Sequence, residues 1–113
     1  MNHEISLDDA IDLTKRFRTL RPTVLNPEYA NTDILPTCET FDLETVNALL
    51  QNDQCRGLRI YYGMSDDLKV HAVLVGVGEN NEDLLPGSTE QYLILENADR
   101  CPTICPPASA LNS

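Results

Sequence analysis

Basic residues are scarce in this chain of 113: eight Lys and Arg stand against eighteen Asp and Glu, a formal net charge of −10. Phosphate binding is driven by Lys and Arg, so this balance argues against DNA or RNA as a partner. Long apolar runs are missing too. The longest covers 72–77, far short of the roughly 20 residues that span a bilayer, and no membrane role is expected. No basic start followed by an apolar run opens the chain, and no lipidation box closes it, so the cytoplasm is the expected location. Five glycines form no Gly-x-Gly-x-x-Gly, Gly-x-x-x-x-Gly-Lys-Ser/Thr or Gly-x-Ser-x-Gly pattern, which removes the usual phosphate loops and the serine elbow. Two histidines, His3 near the terminus and His71 inside a strand pattern, leave little for acid–base chemistry. No catalytic site assembles from this inventory, and the expectation leans away from an enzyme.

What is present fits one domain over 1–113, with 1–5 and 106–113 as loose ends. The charge is uneven. Residues 1–21 hold four acids and four bases; 22–55 and 79–99 hold six acids each and no base. A helix is expected over 7–20, capped by Ser6, with Leu7, Ala10, Ile11, Thr14 and Phe17 on its apolar face. Acids near its start and Lys15, Arg16 and Arg18 near its end complement the helix dipole, which explains the basic cluster without nucleic acid. Pro22, Pro27 and Pro36 mark 21–40 as a connection. A second helix is expected over 43–52, capped by Asp42 and stapled by Phe41 against Val46. Strands follow over 58–63, 69–77 and 91–97, the second apolar on both faces and therefore central. The tail carries Pro102, Pro106 and Pro107 and reads as irregular. The fold class is α+β: two N-terminal helices packed on a three-stranded antiparallel meander, in the order ααβββ.

The hairpin has a register consequence. If its residue numbers sum to 130, Leu58, Ile60 and Tyr62 face the helices with Leu68, Val70 and Ala72. Arg59 and Tyr61 then share the other face with Lys69 and His71, because opposed residues lie on one side of a sheet. Tyr92 and Glu96 join them from the third strand. Arg59, Tyr61, Lys69, His71, Tyr92 and Glu96 form the expected interaction surface, since tyrosine and arginine are interface residues. A homo-oligomer, a dimer first, or a complex with another protein is the expected assembly. The same face offers a rival reading, a small-molecule binder or enzyme using Arg59, His71 and Glu96.

Four cysteines, Cys38, Cys55, Cys101 and Cys105, carry the remaining chemistry. They allow three complete disulfide pairings or a four-thiolate zinc site. Zinc is disfavoured because sixteen residues separate Cys38 from Cys55, which make no tight knuckle; no cofactor is expected. A short Cys101–Cys105 disulfide would pin the tail, yet without a secretion signal four reduced thiols are preferred. A Cys55–His71 dyad fails on distance, with about 13 Å of strand between them. The acidic loop 79–90 matches an EF-hand loop in length only: Leu84 occupies the place of the required glycine, and strands flank it.

The stretch Cys55-Arg56-Gly57-Leu58-Arg59-Ile60-Tyr61-Tyr62-Gly63, the tail Cys101-Pro102-Thr103-Ile104-Cys105-Pro106-Pro107 and the opening helix resemble a group of small uncharacterised bacterial proteins. The resemblance implies a stand-alone bacterial protein. It carries no activity and no functional residue.

Overall fold

The computed structural model describes residues 2–113. It is a mixed α+β fold with two α-helices and antiparallel sheets. Helix α1 spans Leu7–Val24. Ser6 caps it by accepting from the Asp9 backbone N–H at 3.0 Å, as the sequence predicts. The helix runs four residues past its expected end because Pro22 has a helical φ built in and removes only one ladder donor. After the 3₁₀ turn Pro27–Tyr29 comes strand β1, Cys38–Thr40. Helix α2, Leu43–Leu50, is capped by Asp42, which accepts from the Thr45 backbone at 3.1 Å and its hydroxyl at 2.6 Å. The Thr45 hydroxyl, more than the backbone donor, holds the Asp42 carboxyl below its ordinary range.

Strands β2, Gly57–Met64, and β3, Val70–Val77, form the hairpin. Its register pairs Gly57 with Val77 and Met64 with Val70, four residues further along β3 than expected. The turn explains the shift. The Leu68 N–H donates to the Ser65 carbonyl at 2.9 Å, Leu68 takes a positive φ of 69°, and the Ser65 N–H meets the Lys69 carbonyl at 3.0 Å. The bend is therefore centred near Asp67 instead of Ser65. The shift is an even number, so the side chains within the paired strands keep their expected faces, while Leu68 and Lys69 fall in the turn.

The third strand of the expected meander, 91–97, shrinks to two residues, and the preceding segment, expected to be a loop, supplies another two-residue strand. Strands β4, Asp83–Leu84, and β5, Ile94–Leu95, pair with successive parts of the second edge of β3. This makes a four-stranded sheet with β3 in the middle and β2 alone on the opposite edge. Strand β6, Asp99–Cys101, lies in the tail expected to be irregular and pairs with β1 as a separate two-stranded sheet. The core sits where α2 meets β3 and β5: Leu49, Leu74 and Leu95, flanked by Phe41, Val46 and Ala72.

One expectation is overturned. Helix α1 does not pack on the sheet, and none of its residues is buried. It is held by polar contacts instead. Arg21 donates to the Leu35 carbonyl at 3.1 Å and the Thr37 hydroxyl at 3.0 Å, while Arg18 grips the Leu111 and Ser113 carbonyls of the tail. The radius of gyration is accordingly 16.3 Å, against about 13 Å for a compact chain of this length.

Candidate functional site

The face of the sheet away from α2 carries the residues singled out by sequence, and the structure divides them into separate groups. Arg59 and Tyr61 reach from β2 across β3 to Asp83 of β4. The Arg59 guanidinium lies 2.6 Å from Asp83 Oδ1, and the Tyr61 hydroxyl donates to Oδ2 at 2.5 Å. Arg59 also donates to the Asn81 side-chain oxygen at 2.6 Å and to its carbonyl at 3.2 Å. The Tyr61 hydrogen bond, reinforced by Arg59, holds the Asp83 carboxyl below its ordinary range. The same bond pushes the Tyr61 hydroxyl up, and Asp83 likewise raises Arg59. On β3 between these groups Val75 is only 2% exposed. The cluster is a polar strap over the sheet, with its hydrogen-bonding groups engaged inside the chain.

His71 stands opposite Gly63, four residues along β2 from Arg59, which is about 13 Å of strand. It lies with Glu96, Nδ1 to Oε1 at 3.9 Å, beside a shallow cleft of about 230 Å³ lined also by Gly63, Met64, Ser65 and Val73. His71 Nδ1 is buried and has no hydrogen-bond partner. Arg59, His71 and Glu96 therefore do not converge on one site. Lys69 falls in the turn and binds Asp33 at 3.0 Å, its hydrogen bond being the main cause of the lowered Asp33 carboxyl. Tyr92 is half-buried ahead of β5.

The cysteines also separate. Cys101 and Cys105 are joined by a disulfide, which corrects the preference for four reduced thiols; Cys38 and Cys55 are free. Cys55 Sγ donates to the Gly57 carbonyl at 3.3 Å and packs over Gly76, where an added Cβ would stand 3.2 Å from the sulfur. Arg100, next to Cys101, bonds the Val70 carbonyl at the other end of β3, so Cys55 lies about 20 Å of strand away from that region. Among the described residues no three His, Cys, Asp or Glu side chains are grouped to hold a metal ion.

Three features were not read from the sequence. Arg100 is 9% exposed and donates to the carbonyls of Asp33 at 2.6 Å, Ile34 at 2.9 Å and Val70 at 3.2 Å, with Asp33 Oδ2 at 3.5 Å. Its signal was its isolation as the single base after Lys69. The second feature is an exposed stripe on α1, Leu13, Phe17, Leu20 and Val24, whose 4-3-4 spacing is legible. The third is the face of β2 expected to lie under the helices. Leu58, Ile60, Tyr62 and Met64 are 45, 50, 81 and 62% exposed. Helix α2 is about 12 Å long and contacts β3 and β5, leaving β2 uncovered.

No helix among the described residues is long and apolar enough to cross a membrane. The chain matches no protein-family model, no curated protein and no solved structure.

Proposed function

We propose that this chain is a protein-interaction module that self-associates, with the contact running along edge strand β2 and its uncovered apolar face. The observation that carries this reading is the row Leu58, Ile60, Tyr62 and Met64, exposed along an eight-residue strand with a neighbour on one side only. A long apolar edge with unpaired backbone groups is a template for another strand. The occupant is a second copy. Strand β2 contains no acid, so along it two chains of net charge −10 bring no carboxylates of the strand together, and local like-charge repulsion is least there. An antiparallel pairing of β2 with itself is self-complementary, as a two-fold interface requires. Arg59 and Tyr61 border this edge from the opposite face, where the strap to Asp83 keeps them ordered. Sedimentation equilibrium tests the reading. A dimer that Tyr62→Lys converts to a folded monomer supports it. A monomer at every concentration, or a dimer indifferent to Tyr62→Lys, sinks it.

A second reading treats the His71–Glu96 cleft as a small-molecule site, because His71 Nδ1 is buried without a partner. A ligand binding only the native state raises apparent stability. In a thermal-shift screen against anionic metabolites, a rise in Tm abolished by His71→Ala supports this reading, and no shift across the screen counts against it.

A further inference from the structure

Cys101 has two cysteine neighbours, one along the chain and one across the small sheet. Cys105 reaches it along the chain, with Cα atoms 4.6 Å apart and the disulfide formed. Cys38 reaches it across the small sheet, where the β1–β6 register places Cys38 directly opposite Cys101. Directly opposed residues of an antiparallel pair share a face, with Cα atoms about 4.5–5.5 Å apart. Disulfides form across Cα separations of about 4.4–6.8 Å, so this ladder position already satisfies the backbone requirement for a Cys38–Cys101 bond. Cys38 is a free thiol and half-buried, Cys101 is buried, and Cys105 is exposed.

We propose that Cys38, Cys101 and Cys105 form a thiol–disulfide exchange centre in which Cys38 is the resolving thiol, Cys101 the shared sulfur and Cys105 the outward-facing one. The Cys38 thiolate, its proton given to solvent, attacks Cys101 Sγ. The Cys38–Cys101 bond forms, the Cys101–Cys105 bond breaks, and the electron pair leaves on Cys105 Sγ, which takes up a proton. No outside oxidant or reductant is needed, because one disulfide replaces another. The exchange changes what the protein shows to solvent. A link within five residues of the tail becomes a covalent tie between β1 and β6, and an exposed thiol appears at Cys105. That thiol then takes a soluble disulfide of a small thiol as its substrate. Cys105 sulfur bonds to one half of that molecule, and the other half leaves as the free thiol.

Cys55 is outside this centre, packed against Gly76 at the far end of β3, and serves as the internal control. The reading does not depend on self-association, since all three sulfurs come from one chain.

Oxidised glutathione is the probe. The folded, full-length protein is incubated with it, quenched in acid, alkylated with N-ethylmaleimide and mapped as non-reduced peptides. The expected result is a Cys38–Cys101 peptide together with glutathione on Cys105. Cys38→Ala should lower the Cys105 adduct at least tenfold, and Cys55→Ala should leave it unchanged. Cys105→Ser, oxidised at low protein concentration, should yield an intramolecular Cys38–Cys101 bond. Glutathione on Cys38 with Cys101–Cys105 intact overturns the proposal, as does an adduct on Cys105 that persists in Cys38→Ala. The wild-type map needs no variant, so a misfolded substitution does not blunt the test.

Discussion

Strands β2 and β3 belong to one hairpin and alternate side chains in the same way, yet they live in different environments. On the α2 side of β3, Ala72 packs against the core and Leu74 is buried in it; the β2 residues opposite them, Tyr62 and Ile60, are both exposed, Tyr62 most of all the large apolar side chains. On this face hydrophobicity does not separate the two strands. Coverage does. Helix α2 is eight residues long and covers one strand and its β5 neighbour, while α1, which has the length to cover the other, is held elsewhere by Arg18 and Arg21. Apolar alternation therefore specifies which face a residue belongs to, and the placement of helices specifies whether that face is buried.

Several substitutions would break or sharpen this contrast. The largest effect should come from Arg100→Ala, which takes the guanidinium from three carbonyls at the covered side of β3 and leaves Asp33 without that partner. A loss of about 3–5 kcal/mol is expected in urea unfolding; a loss under about 1 kcal/mol would show that this clasp holds nothing together. Leu74→Ala should cost about 2–5 kcal/mol as a buried truncation, whereas Ile60→Ala in the Tyr62→Lys background should stay within about 0.5 kcal/mol. Equal costs for the two would erase the distinction between the strands.

The strap across the sheet adds a pH dependence. The native Asp83 carboxyl lies below its ordinary 3.8, so its contribution is present above that pH and is lost as pH falls through the lowered native value. Tyr61 runs the other way. Its native value is raised above 10.0, so its contribution is present below pH 10 and lost as pH rises through the native value. Thermal melts of Asp83→Asn should be flatter at both ends than those of the wild type; parallel curves would remove the strap from the stability of the sheet. Ser6→Ala should cost the α1 cap about 1 kcal/mol, read as faster amide exchange in the first turn of α1 with no change at Leu74. A fall in protection at both would join the arm to the core. The smallest effect belongs to the turn. Leu68 holds a positive φ of 69° with its side chain 41% exposed, so Leu68→Gly should stabilise the hairpin by up to about 1 kcal/mol.

Much of the architecture was legible in local chemistry. Ser6 and Asp42 announced their helices because a cap needs only its own turn, and the both-sided apolar run of β3 announced a central strand. The hairpin register was misplaced because Leu68, a residue that seldom takes positive φ, closes the loop. The short strands β1, β4 and β6 left no pattern, since two or three residues cannot display a period. At the candidate site, Arg59 and Tyr61 were legible as neighbours on one face. Their partner Asp83 was not, because it comes from a loop whose pairing with β3 is visible only in space. The Cys101–Cys105 link is one of several pairings that four cysteines allow, and no feature of the sequence singles it out.

The pairing of β1 with β6 also orders the chain in time as it leaves the ribosome. The β2–β3 hairpin is local and can close as soon as Val77 has emerged. Strand β1, made earlier, waits roughly sixty residues for its mate; the Ile34 carbonyl waits 66 residues for Arg100 and the Val70 carbonyl 30. During synthesis the apolar edge of β2 is therefore presented before the C-terminal clasp exists. For the β2 contact proposed above, this order means that the contacting edge is complete before the C-terminal clasp that closes the fold.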